Sequence, residues 1–279
     1  PMSLFESLES NGSVSLKSLF DGHINVEAVS DLSIEGIASA LVRGGWPASI
    51  GDDESIALRH AVDYVEAIIN ADISRVDGVE KNPARVRALM RSYARNIATT
   101  ATMRTIRDDI ALGDADASIS EKTISQYLVA LDRMFVTEDL PAWNPALRSK
   151  TAIRSSVKRH FVDPSIATAV MRLTPFRLLE HFEYFGFLFE SLCTRDLRIY
   201  ADAIDGQVFH YRDASGLESD TVVCLNDGRW APIEVKLGTK AIEEAAEHLL
   251  ELKAKVDTGK MNEPSFFMIL TVGKSAPPP

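Results

Sequence analysis

The 279-residue sequence predicts an α/β fold, α+β overall, in which a helical first part precedes a strand-rich last part. Apolar residues recur at helical spacing over residues 56–72 and again over 240–256. Residues 226–228 read Asn-Asp-Gly between two strand-like runs, and Asp-Gly is a strong signal for a β-hairpin. Residues 265–272 form a short continuous apolar run, which is typical of a strand buried on both faces.

Composition and charge exclude several classes of protein. The 46% apolar content is that of a globular chain, and this length is enough for two hydrophobic cores. No apolar run approaches the roughly 20 residues that a membrane-spanning helix needs, so we expect no membrane partner. Cys193 and Cys224 form no Cys-x-x-Cys pair, which argues against a zinc motif and indicates a reducing, cytoplasmic location. The net charge of −10 argues against a surface that is positive everywhere.

The N-terminal part gives the fewest signals. Residues 14–19 and 34–42 are predicted as short elements, and the second ends at paired glycines followed by proline within residues 44–47. The helix over 56–72 carries its apolar residues on one side, and we assign it to packing rather than to chemistry.

Asn82 and Pro83 begin the next predicted helix, because asparagine caps helices and proline fits their first turn. Arg87, Arg91 and Arg95 follow at intervals of four, so their like charges share one face and repel each other. An acidic partner is therefore expected, either within this chain or on a nucleic-acid backbone. An acidic neighbour within the chain is the favoured interpretation.

The residues that follow outline a winged helix. A capping box at 118–121 begins a helix that runs to residue 134, and 135–140 and 159–162 are predicted as two strands. The loop between these strands is basic, and residues 80–159 hold 14 Lys and Arg against 9 Asp and Glu. This part of the chain is therefore the one best suited to meet nucleic acid.

In a DNA-binding winged helix, the second helix enters the major groove and the basic loop contacts phosphates. The candidate contacts are Lys122, Gln126 and Arg133, beside Glu121 and Ser125, on the helix, and Arg148, Lys150, Arg154 and Lys158 in the loop. Winged helices also dock proteins, so DNA and protein both remain open as partners of this part of the chain.

Two carboxylates and a lysine fall on the predicted hairpin. The strand over 217–225 carries Asp220, and the strand over 229–237 carries Glu234 and Lys236, which share one face. Hard carboxylate oxygens suit Mg²⁺ or Mn²⁺, which would polarise a phosphodiester and activate water. Lys236 would orient that water or stabilise developing negative charge. The alternative is a hairpin on which Lys236 only neutralises the two acids.

The order of elements around this hairpin resembles that of the PD-(D/E)xK nuclease fold of restriction-type endonucleases. A helix over 176–203 and a strand over 207–212 precede the hairpin, and the helix over 240–256 and the last strand follow it. The resemblance implies a restriction-endonuclease-like αβββαβ domain.

The same resemblance implies roles for individual residues. Asp220, Glu234 and Lys236 match the catalytic positions, with the two acids as metal ligands. An acid on the first helix is an additional ligand in many nucleases of this fold, and Glu190 occupies the matching place. Ser219 stands where the motif has proline.

The whole chain resembles the C-terminal part of bacterial AAA-type ATPases that carry the domain of unknown function 4143. The resemblance rests on stretches spread from end to end, which are PMSLFES (1–7), LVRGGWPASI (41–50), KNPARVRALMRSYARNIAT (81–99), SEKTISQYLVALDRMFVTEDLPAWNPALRSK (120–150), RHFVDPSIA (159–167), FGFLFESLCTRDLRIYA (185–201), FHYRDASGLESD (209–220) and IEVKLG (233–238). It implies that residues 1–50 are the exit from an ATPase core, that 51–172 are a winged-helix-like domain and that 173–279 are a nuclease-like domain.

The expected function follows from that resemblance. No G-x-x-x-x-G-K-[ST] motif occurs, so we expect no nucleotide site and interpret the chain as a fragment or truncated relative. The expectation is a divalent-metal-dependent, DNA-processing module whose full-length protein includes an ATPase core. The alternative is a non-catalytic interaction or regulatory module with a degenerate nuclease fold.

Overall fold

The computed structural model describes residues 1–24, 30–76, 78, 80–113, 119–148, 150 and 153–272. The chain divides into two compact units whose segments alternate along the sequence. The first comprises Pro1, Ile37–Asp139 and Lys158–Leu192, and the second comprises Met2–Gly36, Leu140–Val157 and Cys193–Pro279. This interleaved division differs from the three contiguous parts expected from the sequence.

Helices are present in both units, and the architecture is α+β. In chain order the α-helices of the described residues are α1 (Leu16–Phe20), α2 (Ile34–Arg43), α3 (Glu54–Ala67), α4 (Ile73–Arg75), α5 (Pro83–Arg95), α6 (Met103–Gly113), α7 (Glu121–Arg133), α8 (Pro164–Met171), α9 (Pro175–Leu179), α10 (Phe182–Asp202) and α11 (Ile242–Lys255). A π-helical segment, Ile68–Asp72, continues α3, and Pro47–Ser49 and Thr239–Ala241 form 3-10 turns. None of the described helices combines the length and apolar character needed to cross a bilayer.

The first unit is built around α5. This helix packs against α6 and α8, and α8 also packs against α3. The Asn82 side chain caps α5 by accepting hydrogen bonds from the main-chain N–H groups of Ala84 and Arg85, as the sequence predicts. The apolar side of α5 is fully buried at Val86, Leu89, Met90 and Tyr93.

The predicted start of α7 needs a small correction. Ser120 is its N-cap and accepts a hydrogen bond from the Thr123 main-chain N–H. Ser118, which the predicted capping box included, lies outside the described residues.

The predicted strand over 135–140 is wrong. In its place Thr137 and Phe161 form an isolated antiparallel bridge, flanked by main-chain hydrogen bonds of 2.8 and 3.0 Å. Phe135 adopts a φ of 55°, which turns the chain sharply just before the bridge and prevents a longer extended run. Residues 140–157 belong to the second unit, so the basic segment is not a compact loop closing a hairpin in the first.

The second unit contains a four-stranded mixed sheet. Its strands are β1 (Gly206–Arg212), β2 (Glu218–Leu225), β3 (Trp230–Lys236) and β4 (Met268–Thr271), in the order β1-β2-β3-β4. The pairs β1–β2 and β2–β3 are antiparallel, and β3–β4 is parallel. Gly228 has a φ of 87° in the β2–β3 turn, so the Asp-Gly hairpin prediction is confirmed.

Two apolar clusters pack in the second unit. Leu197 and Ala201 of α10 lie in one cluster with Val223 and Ile233 of the sheet, together with Leu16, Leu19 and Phe20 of α1. The other contains Val222, Trp230, Trp143, Tyr211, Leu217, Leu252 and Val256. Because side chains alternate along β2 and β3, these clusters lie on opposite faces of the sheet. Helices α10 and α11 therefore cover different faces.

Candidate metal-binding cluster

The hydrogen-bonded ladder between β2 and β3 ends at the pair Thr221 and Ile233. Just beyond that pair, side chains replace main-chain groups as hydrogen-bonding partners. Asp220 Oδ2 accepts a hydrogen bond from the Val235 main-chain N–H at 3.0 Å. Ser219 Oγ lies 3.1 Å from the Thr221 carbonyl oxygen and 3.3 Å from that of Ile233. Its hydroxyl proton can therefore be donated to either carbonyl at the end of the ladder. The two strands are thus held together by side chains where their ladder stops.

A register shift in the neighbouring pair of strands helps to place Asp220. Phe209 pairs with Val222, but Tyr211 pairs with Ser219, so β2 carries one more residue than β1 over this stretch. Such a β-bulge bends a strand and re-aims the side chains beside it. The bulge contains Asp220 and Thr221, which lie opposite the single residue His210 of β1.

The three predicted residues of the hairpin contact one another. Lys236 Nζ lies 2.5 Å from Glu234 Oε2 and 3.2 Å from Asp220 Oδ2. The side chain of Glu234 is only 3% exposed, that of Asp220 is 13% exposed and that of Lys236 is 27% exposed. The cluster is therefore buried on its Glu234 side and reaches solvent at Lys236.

The surroundings shift the protonation of this cluster. Burial, followed by the nearby charge of Asp220, raises the pKa of Glu234 to about 8 despite the opposing effect of Lys236. Burial acts to lower the pKa of Lys236, but the charges of Asp220 and Glu234 outweigh it and raise that pKa to about 12. Lys236 is thus charged at neutral pH, whereas Glu234 is mostly protonated. Additional positive charge beside the two acids would favour ionised Glu234.

Asp220 and Glu234 offer few oxygen ligands for a hard metal ion such as Mg²⁺. No group of three or more His, Cys, Asp or Glu side chains within the described ranges is arranged to hold a metal ion. Mg²⁺ nevertheless commonly takes only one or two protein carboxylates and completes its octahedron with water and phosphate oxygens. Asp220 and Glu234 supply two carboxylates on adjacent strands, which meets that smaller requirement.

Glu190 lies in a different setting. Its Oε1 accepts a hydrogen bond from Lys158 Nζ at 2.5 Å, and both side chains are nearly buried, with exposed fractions of 11% and 5%. Both residues belong to the first unit, whereas Asp220 and Glu234 belong to the second. The role of Glu190 as a metal ligand stays a prediction. Arg195, five residues further along α10, pairs with Asp196 at 2.7 Å.

The residues predicted to contact nucleic acid are distributed over both units. Lys122, Gln126 and Arg133 are exposed on α7 of the first unit. In the second unit Arg148, Lys150 and Arg154 are exposed, and Arg148 also donates a hydrogen bond to Thr258 Oγ1 at 3.1 Å. Lys158 is 4% exposed and paired with Glu190, so it is not available to a phosphate in this arrangement.

The arginine row of α5 has acidic partners within the chain. Both terminal nitrogens of Arg87 lie 2.8 Å from the Glu66 carboxylate, and Arg95 pairs with Asp109 at 2.6 Å. The prediction of an intramolecular acidic neighbour is therefore confirmed at these two positions. Glu121, which lies beside the predicted DNA-contacting residues of α7, likewise has a partner within the chain and pairs with Arg107 at 2.8 Å.

A second charged network was not anticipated from the sequence. Asp213 is fully buried and accepts hydrogen bonds from Tyr211 Oη at 3.0 Å, Lys255 Nζ at 2.9 Å and the Ser215 hydroxyl at 2.6 Å. Burial alone would raise the pKa of Asp213, but these donors hold it well below its usual range. The Asp-x-Ser-Gly turn was the available signal, since Asp side chains cap such turns. His210 of β1, by contrast, has a structural contact, because its Nε2 donates to the Ser156 carbonyl at 2.8 Å.

Comparisons with known proteins identify two regions of the chain. Residues 185–274, which contain most of α10 and the sheet, match a Domain of unknown function (DUF4143). Residues 34–177 match another Domain of unknown function (DUF8612). No curated protein and no solved structure matches the chain. Because the second match covers more than half of the 279 residues, the chain belongs to the DUF8612 family.

Proposed function

We propose that the second unit is a divalent-metal-dependent phosphodiesterase of the PD-(D/E)xK type that processes DNA. The observation that carries this proposal is the contact of Asp220, Glu234 and Lys236 at the point where β2 and β3 separate. Two carboxylates and one amine gathered from two strands are the groups that such chemistry requires.

The order and pairing of the elements support the proposal. Helix α10, the meander β1-β2-β3, helix α11 and the parallel strand β4 follow the αβββαβ order expected for this fold. Asp220 lies on the second strand and Glu234 and Lys236 on the third, as the motif requires.

The two acids and the lysine have distinct proposed roles. Asp220 and Glu234 would hold Mg²⁺ or Mn²⁺, which supplies Lewis acidity toward a phosphodiester and a bound water of lowered pKa. Asp220 is already oriented by its hydrogen bond from the Val235 N–H. Lys236, charged and partly exposed, is placed to orient the attacking water or to stabilise negative charge on the phosphate. Glu234 contributes as the carboxylate, so its proton must leave before it can act as a ligand.

Partners follow from the same proposal. The exposed residues Lys122, Gln126 and Arg133 of α7, and Arg148, Lys150 and Arg154 of the basic segment, would contact DNA phosphates and bases. The pairing of Glu190 with Lys158 does not favour their roles as a metal ligand and a phosphate contact, which stay predictions. An ATPase core in the full-length protein and a cytoplasmic location complete the proposed context.

One observation favours a second candidate function. Lys236 already pairs with both acids, and a cluster neutralised in this way is also what a non-catalytic interaction module would retain. In that case the sheet is a scaffold for regulation of an ATPase, and added metal has no effect on the protein.

Cleavage of supercoiled plasmid with Mn²⁺ or Mg²⁺ separates the two functions. The proposal predicts nicking by the wild-type protein that chelation abolishes, and a loss of at least 100-fold in Asp220→Asn and Lys236→Met. Asp227→Asn removes the same charge from the exposed turn of the same hairpin and serves as the matched control, with nicking unchanged. Equal nicking by wild type and Asp220→Asn, or none by any of them, would favour the interaction module.

A further inference from the structure

The first unit contains a cavity of about 300 Å³ that no proposed role uses. Most of its wall is aliphatic and includes Leu58, Val62, Ile69 and Leu173. The polar or charged lining residues are Glu66, Arg87, Thr168, Arg172 and Thr174. A concave, mostly apolar surface with a few polar groups is the usual composition of a small-molecule site.

Two irregular backbone segments line this cavity. Ile69 belongs to the π-helical segment Ile68–Asp72, and such segments are frequent at functional sites. Arg172 is the left-handed C-cap of α8, with a φ of 54°, and its main-chain N–H donates to the Ala169 carbonyl at 3.1 Å, which ends the helix beside the cavity.

The charged residues in the lining indicate the sign of the charge that a ligand should carry. Arg87 holds both oxygens of Glu66 at 2.8 Å, so this pair is internally neutral. That hydrogen bonding is the main reason that the pKa of Glu66 is lowered, and the charge of Arg172 adds to the effect. Arg172 is exposed and leaves one positive charge in the lining beyond the neutral pair. An anionic group is therefore favoured over a neutral or cationic one.

We infer that this cavity binds a small amphiphilic carboxylate. The aliphatic tail packs against Leu58, Val62 and Leu173, and the carboxylate pairs with Arg172. Val62 is 41% exposed, so part of this apolar wall faces solvent until a tail covers it. The volume lies at the lower end for ligand pockets and suits a molecule of on the order of ten non-hydrogen atoms.

Calorimetric titration of the full chain with sodium octanoate tests the inference, with 1-octanol and octylamine as neutral and cationic probes of the same length. The expected result is saturable one-to-one binding of octanoate, at least about tenfold tighter than that of either other probe. Arg172→Gln should weaken octanoate binding about tenfold, and Val62→Glu should weaken it similarly by placing negative charge in the wall.

Arg177→Gln, an equal change of charge on α9 outside the cavity lining, is the matched control and should bind octanoate as wild type does. Circular dichroism melting shows which variants are folded. If Arg172→Gln does not fold, Val62→Glu still tests the inference. Absence of saturable binding would overturn the inference. Equal affinity for the three probes, or wild-type affinity in Arg172→Gln and Val62→Glu, would overturn it as well.

Discussion

The side chain of Asp220 occupies the position of a main-chain acceptor for the Val235 N–H, at 3.0 Å. This contact lies directly beyond the last β2–β3 pair, so it joins the two strands where their ladder has ended. The same carboxylate pairs with Lys236, which links the geometry of the strands to the charge of the cluster. A structural hydrogen bond and a candidate catalytic group are thus combined in one side chain.

The raised pKa of Glu234 should make stability depend on pH. Its pKa of about 8 in the folded protein lies above the ordinary 4.5, so the folded state binds the proton more tightly than the unfolded state. The contribution is fully present below pH 4.5 and is lost as pH rises toward 8, by up to about 1.4 kcal/mol per pH unit. Urea unfolding at pH 5, 6, 7 and 8 should show this slope in the wild type and a flatter one in Glu234→Gln. Parallel slopes in the two proteins would contradict it.

Removal of the Asp220 charge should lower the pKa of Glu234. Asp220 is the second cause of that raised pKa after burial, so Asp220→Asn leaves Glu234 beside Lys236 without a competing acid. Carbon-detected NMR of the Glu234 carboxyl should show titration at a lower pH than in the wild type. Asp227→Asn, in the exposed turn, should leave the midpoint in place, and an unchanged midpoint in Asp220→Asn would refute the assignment.

Replacing only one member of the buried Lys158–Glu190 pair should lower the free energy of unfolding. Lys158→Met leaves a nearly buried carboxylate without its ammonium, and losses of about 3–5 kcal/mol in the free energy of unfolding are typical of such changes. Lys158→Met combined with Glu190→Gln should recover much of the loss, because no charge is then stranded. Denaturant unfolding measures all three proteins. A double variant as unstable as Lys158→Met would show that packing, and not the stranded charge, is responsible.

Gly44 should not tolerate a side chain. Its φ is 76°, and an added Cβ would lie 2.3 Å from Ser165 Oγ and 2.8 Å from Asp163 Oδ1. Gly44→Ala should therefore lose more stability than the about 1–2 kcal/mol that a left-handed conformation alone costs a residue with a Cβ. Gly51→Ala isolates the conformational cost, since Gly51 has a φ of 89° and no atom within 4 Å of an added Cβ. Equal losses in the two variants, measured by thermal unfolding, would show that the close contacts at Gly44 relax.

The local elements of this fold could be predicted from the sequence. Helix α5 follows from its Asn82 cap and apolar spacing, and the β2–β3 hairpin follows from Asp-Gly. The contact of Glu234 with Lys236 follows from strand alternation. In each case the information lies within a few residues of the chain.

Long-range features could not be predicted in the same way. The N-terminal segment belongs to the second unit, where the Leu4 N–H donates to Asp196 Oδ2 at 2.9 Å and Phe20 packs on Phe266. Contacts between residues so distant in sequence leave no periodic signal in either segment. The extra residue of β2 beside Asp220 was missed for a related reason, because a bulge depends on the partner strand as well as on its own sequence.

Binding of Mn²⁺ to the cluster is the most direct test of the proposed function. Mn²⁺ is paramagnetic and broadens the NMR signals of nearby nuclei, and the main-chain N–H of Val235 donates a hydrogen bond to Asp220 Oδ2. We expect substoichiometric Mn²⁺ to broaden selectively the amide signals of Val235 and Lys236 in the wild type, and Asp220→Asn to abolish the effect. Uniform weak broadening, or the same selective broadening in Asp220→Asn, would contradict a metal site built on these two acids.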